Sequence, residues 1–120
     1  MADPARRQQE RLPCEIPVVL AAPTTGAKIA EARLVDLGLG GALLESPVPL
    51  QRGVPYEIRW TWQGRDLRLS ARVAWEAKPG KTKLRRFGLA FTLTVAQEDL
   101  VRAQLDALRL GLWSTTRPKS

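Results

Sequence analysis

YEIRWTWQGRDLRLSARVAWE, residues 56–76, decides the fold of this chain. Tyr56, Ile58, Trp60 and Trp62 alternate with Glu57, Arg59, Thr61 and Gln63. Beyond Gln63-Gly64-Arg65-Asp66, the apolar residues Leu67, Leu69, Ala71, Val73 and Trp75 alternate with Arg68, Ser70, Arg72 and Glu76. A period of two sends successive side chains to opposite faces of a strand. A glycine-bearing turn between two such runs predicts a β-hairpin with one buried face and one basic, wet face. On this pattern Trp75 belongs to the buried face. Trp60, Trp62 and Trp75 read as core or barrel-rim residues rather than a cofactor box.

The flanking sequence extends the same theme. CEIPVVLAA (14–22) reads as a strand whose Pro17 marks an edge or a bulge. PTTGAK supplies a turn, IAEARLVDL (29–37) a second strand, and GALLES (41–46) a third, stopped by Pro47 and Pro49. Past the charged loop PGKTK (79–83), RFGLAFTL (86–93) is a further strand burying Phe87, Leu89 and Phe91. The period then changes. Leu100, Val101, Leu105, Leu108 and Leu112 recur at helical spacing, and Thr94 with Gln97 has the spacing of a capping box. The expected organisation is a flexible polar arm at 1–12, one domain at 13–113 that includes a C-terminal helix at 95–110, and a disordered tail at 114–120. The expected fold is all-β with a C-terminal helix: a small six-stranded antiparallel barrel with one helix packed on it.

Composition narrows the chemistry. The chain has 120 residues, enough for one domain with a modest core. It contains no histidine and one cysteine, Cys14. Imidazole and thiolate metal sites and histidine-activated nucleophiles are thereby removed, and the scattered acidic residues suggest no acid–base pair. Neither an enzyme nor a metal protein is expected. A lone cysteine fits a reducing compartment, and no apolar run is long enough for a membrane span, so a cytoplasmic protein without membrane insertion is expected. The net charge is +7, and residues 51–92 alone carry ten Lys/Arg against three Asp/Glu. That imbalance suits an anionic partner, although a solvated basic surface is the plainer account. The run Lys78, Lys81, Lys83, Arg85 and Arg86 reads as a soluble loop.

Two segments outside the hairpin carry recognisable chemistry. RRQQER (6–11) presents arginine forks at Arg7 and Arg11, with Arg6 as a third cation. Such forks match phosphates and the O6/N7 edge of guanine. DLGLGG (36–41) presents the carboxylate of Asp36 and then a glycine-rich turn. A carboxylate matches the N–H donors on guanine's other edge. Glycines between strands commonly supply positive φ, and bare successive N–H groups can also form an anion nest. The turn is neither a P-loop nor a dinucleotide fingerprint, since it lacks a GK[ST] ending and no helix follows it. Together the two segments point to a guanine nucleotide.

This order of RxxxR, strand, acidic glycine turn, barrel and helix resembles the PilZ domain, a bacterial receptor for the second messenger cyclic di-GMP. The resemblance runs from Arg6 to about Leu108. Arg6 to Arg11 match an RRxxxR form, and Asp36 to Gly41 match a DxSxxG form except at one place. Arg72-Val73-Ala74-Trp75 and Phe87-Gly88-Leu89-Ala90-Phe91 look like the family's closing strands. The resemblance implies that Arg7 and Arg11 clamp guanine Hoogsteen edges and phosphates. It implies that Asp36 takes the Watson–Crick edge of a guanine, and that Gly41 lets the backbone approach. It also implies an association of Arg6 with a stacked ligand dimer and a ligand-proximal position for Trp75. No cofactor is implied besides the ligand itself. Gly38 departs from the motif's serine, and the missing hydroxyl removes one hydrogen bond. The leading expectation is a non-catalytic cyclic di-GMP receptor that relays its signal to a downstream protein. The second is a PilZ-like adaptor that acts through protein contacts without nucleotide, for example on motility or pilus machinery. The third is a basic nucleic-acid-binding barrel, for which the chain shows no recognised module.

Overall fold

The computed structural model describes residues 10–82 and 84–111. Arg6, Arg7, most of the expected arm, Leu112 and the expected tail lie outside the described residues. Six strands, β1 (Arg11–Ala21), β2 (Lys28–Gly38), β3 (Gly41–Ser46), β4 (Pro55–Trp62), β5 (Arg65–Ala77) and β6 (Arg85–Thr92), precede one helix, α1 (Val95–Arg109). The strands close into an antiparallel barrel in the order β1-β2-β3-β6-β5-β4. β1 begins at Arg11, so Arg11 and Leu12 are paired strand residues rather than part of an arm.

Alternation fills the interior. Ile16, Leu20, Leu34, Leu37, Leu44, Ile58, Leu67, Leu69, Phe87 and Leu89 are fully buried. β1 meets β4 only over Val19–Ala21, which leaves Pro13 and Pro17 on a stretch with one free edge, where a missing N–H breaks no ladder. The β4–β5 hairpin turns on two residues, Gln63 (φ 51°) and Gly64 (φ 76°). The strands therefore run two residues further into the expected four-residue turn, with Trp62 paired to Arg65. Two left-handed residues match the strand twist, as a type I′ hairpin requires.

α1 packs across β1, β2 and β5 and inserts Val101, Leu105 and Leu108 into the core. Its start is fixed by the capping box: the Thr94 hydroxyl accepts from Gln97 N at 3.1 Å, and Gln97 Oε1 accepts from Thr94 N at 2.9 Å. The Gln97 amide also donates to the Arg68 carbonyl, tying this end to β5. Inside, Trp60 Nε1 donates to Gln104 Oε1 at 2.9 Å, so the one buried indole N–H at this junction is satisfied. No described helix is long and apolar enough to cross a membrane.

Three ladders break register. The shifts lie between Pro13 and Ile16 and between Leu20 and Ala21 along the β1–β2 ladder, between Leu34 and Asp36 in β2, and between Val73 and Trp75 in β5. Each inserts an unpaired residue and resets which face the following side chains take. These breaks decide where the candidate site lies.

Candidate ligand site on the outer barrel wall

Asp36 sits two residues after Leu34, which faces inward. Strict alternation would bury it. The bulge at Val35 lets Leu37 take the next inward place and turns Asp36 outward. There Asp36 Oδ1 accepts from Leu43 N at 2.9 Å and from Arg11 Nη1 at 3.3 Å. Oδ2 carries no hydrogen bond among the described residues. Arg11 and Asp36 remain partly exposed, at 34% and 25% of their side-chain surface, so both are reachable by a ligand.

Trp75 follows the same logic on the other side. The alternation that buries Leu67, Leu69, Ala71 and Val73 would bury Trp75 too. The extra residue at Ala74 places Trp75 opposite Gly88 on the outer wall, where it is 47% exposed. The expectation of a buried Trp75 is therefore corrected. A Cβ on Gly88 would overlap the indole ring, so the ring lies across β6 in the space that glycine leaves open.

The registers join these residues into one row. Trp75 pairs with Gly88, Gly88 with Leu43, and Leu43 with Asp36. Adjacent strands lie about 4.8 Å apart. The indole, reaching one strand over, therefore stands roughly 10 Å from the strand of Asp36. A second row runs beside it: Arg11 opposite Gly38, and Gly41 opposite Ala90. The result is a shallow shelf with a floor of Gly41, Ala90 and Leu43, a guanidinium and a carboxylate at one end, and an indole at the other.

The glycines of 36–41 do not serve positive φ. The left-handed glycines of the described chain are Gly26, Gly53, Gly64 and Gly111. An anion nest that alternates right- and left-handed residues is therefore not formed here. Gly38 and Gly41 instead permit close approach. A Cβ on Gly41 would overlap the Leu89 carbonyl and come within 3.3 Å of Arg11 Nη2. A Cβ on Gly38 would overlap the Glu10 carbonyl oxygen and come within 3.3 Å of Arg11 Cδ. Arg11 thus lies flat along the bare backbone of the turn.

Cys14, one strand over and buried, donates from Sγ to the Leu34 carbonyl at 3.6 Å. Burial, with the charges of Asp36 and Glu15 adding to it, pushes its thiol up to about 12. It stays protonated and is no nucleophile. Among the described residues, no His/Cys/Asp/Glu cluster could hold a metal.

Several contributors escaped the sequence reading. Glu10 ion-pairs with Arg109 at 2.8 Å, joining residues at opposite ends of the described chain. Leu43 donates its backbone N–H to Asp36 and forms part of the floor. Gly88 had a usable signal, a glycine inside a strand, which often marks close approach of another group. Glu45 is wholly buried and takes Arg33, Arg86 and Thr82 as partners beside the shelf.

Known proteins share this architecture. The PilZ domain of CeSA from a cellulose-synthesizing bacterium matches with a TM-score of 0.62 and 29% identity, over 83% of this chain and 98% of that one. The PilZ domain with c-di-GMP of YcgR from Escherichia coli gives 0.62 and 19%, over 85% and 90%. YcgR in complex with c-di-GMP, from the same organism, gives 0.65 and 17%, over 85% of this chain and 45% of that one. Among curated proteins, none matches this chain. The family model described as PilZ domain matches residues 5–108, a span that holds the barrel, the shelf and nearly all of α1. The chain belongs to the PilZ domain family.

Proposed function

We propose that this chain is a non-catalytic receptor for cyclic di-GMP that signals to a protein partner in the cytoplasm. The observation that carries the reading is the outer-wall shelf, on which Arg11, Asp36, Gly41 and Trp75 converge through two β-bulges. Asp36 Oδ2 is available to guanine N1–H and N2–H₂, and the Arg11 fork suits guanine O6/N7 or a phosphate. Gly41 leaves the backbone bare for close approach. The indole of Trp75 offers an aromatic face on which a base can stack. Arg6 and Arg7 complete the cationic clamp by their place in the motif. The c-di-GMP complexes of YcgR support the ligand class for this family.

Gly38 favours a second reading, an adaptor that has lost the nucleotide. The absent serine hydroxyl costs about 1.5–3 kcal/mol if it met a charged ligand group. The retained Arg11 and Asp36 carry the charge-assisted contacts, so weakened binding fits better than none. Isothermal titration with cyclic di-GMP separates the two. Wild type should release or absorb heat on binding, and Arg7→Ala, Arg11→Ala and Asp36→Ala should each weaken affinity about ten- to hundred-fold. No heat, and no rise in thermal stability at ligand concentrations where a bound site adds about 2.7 kcal/mol, would establish the adaptor instead.

A further inference from the structure

We infer that Glu10, Gly38 and Arg109 are positioning residues that seat the entry to β1 against the ligand shelf, so that Arg11 is held along Gly38 and Gly41 and must move aside before a ligand reaches them. The inference rests on the receptor reading for its ligand and on direct contacts for its geometry.

Three contacts define the seat. The Glu10 carbonyl occupies the space that a side chain at position 38 would fill. The Glu10 carboxylate is held by Arg109 Nη2 at 2.8 Å, while Arg109 Nη1 is held by Asp106 at 2.9 Å. Arg11, the next residue, then lies along Gly38 and Gly41 with its guanidinium on Asp36. The shelf's own cation and carboxylate are thereby engaged with each other, and the Arg11 guanidinium lies beside the glycine that should admit the ligand backbone. A carbonyl where a hydroxyl is expected offers an acceptor and no donor, so it opposes a phosphate or carbonyl of the ligand. Gly38 is therefore more than a lost hydrogen bond. It is the residue that makes room for the seat.

The arrangement also assigns a route of communication. Arg109 lies in the last turn of α1. Lifting Glu10 frees that guanidinium, so ligand at the shelf and a partner that takes Arg109 at the helix end displace the same contact and favour each other. Coupling of this kind is reciprocal: whatever holds Arg109 away from Glu10 must favour the ligand by the same factor.

The test uses Glu10→Gln, Arg109→Gln and the double variant in the full chain. Two readouts are needed: cyclic di-GMP affinity by titration, and amide hydrogen exchange at Arg11 and Leu12 without ligand. Each single variant should tighten binding about two- to five-fold, the range available to an exposed ion pair, and the double should add little further. The two substitutions change net charge in opposite directions, so a shared gain cannot come from general attraction of an anion. Glu10→Gln leaves Arg109–Asp106 in place and isolates the latch from the helix end. Exchange at Arg11 and Leu12 should quicken in all three variants, and in Gly38→Ala, which adds a Cβ but no hydroxyl. Weaker or unchanged affinity in both single variants would overturn the inference, as would unchanged exchange. Quickened exchange in a protein that binds no cyclic di-GMP would support the seat and overturn the receptor reading alone.

Discussion

The β4–β5 hairpin and the β1–β2–β3 wall are built from similar strands and behave differently. From Pro55–Arg72 to Trp62–Arg65 the hairpin keeps an unbroken register. Its apolar residues all turn inward, and its arginines all turn out. The wall breaks register in β1 and β2, and β5 breaks only where it leaves the hairpin to pair with β6. Asp36 and Trp75 both sit just past such a break. The regular region builds the core, and the broken region aims side chains away from it. Two tryptophans make the contrast concrete: Trp60 within the hairpin is 5% exposed, and Trp75 past the β5 break is 47% exposed.

The largest effect should come from Trp60. Its ring fills the core and its N–H donates to Gln104 Oε1. Trp60→Ala should cost about 3–5 kcal/mol of stability by chemical denaturation, with ligand affinity of the folded fraction unchanged. Trp75→Ala should do the reverse. Losing an outer-wall stack should weaken cyclic di-GMP binding about ten-fold, with the denaturation midpoint nearly unmoved. If both substitutions unfold the protein equally, the division between the two regions is wrong.

Glu45 tests the wall's own stability. Burial alone would raise its carboxyl, but hydrogen bonds from Arg33 and Arg86 outweigh that and hold it below its ordinary 4.5. A depressed carboxylate contributes stability above its unfolded value and loses it as the pH falls through the folded one. Glu45→Gln should cost roughly 2 kcal/mol at neutral pH, less than a fully buried pair because both guanidiniums can turn to water. The gap between wild type and variant should narrow below pH 4.5 in thermal melts.

Legibility followed the same division. The hairpin, the bounds of GALLES, the capping box and the helix core were all readable, because each depends on local residue type and period. The bulges were not. Val35 and Ala74 carry no chemical mark of being unpaired, so the alternation carried Trp75 to the wrong face. The motif named Arg11 and Asp36 from residue type, but their meeting depends on the β1–β2 register. Glu10 and Arg109 had no signal at all, since an ion pair across 99 residues is a product of barrel closure. Gly38 was legible as a departure from a motif, and its steric meaning appeared only with the Glu10 carbonyl beside it.

The smallest effect probes the broken region from inside. Cys14 has its thiol raised from 9.0 to about 12, mainly by burial, with Asp36 and Glu15 contributing. Between those values the unfolded chain has released the proton and the folded chain has not. The unfolded state then binds fewer protons, so stability is full below pH 9 and falls as the pH rises toward 12. The slope is about 1.4 kcal/mol per pH unit while one proton separates the states. Cys14→Ala should remove this slope from denaturation profiles taken between pH 8.5 and 10.5, whatever it costs at neutral pH. Asp36→Asn should instead keep the slope but end it at a lower pH, because a charge beside the thiol is gone while its burial remains. That second outcome carries the comparison furthest. It reads at Cys14 the charge of a side chain that the β2 bulge turns to the outer wall.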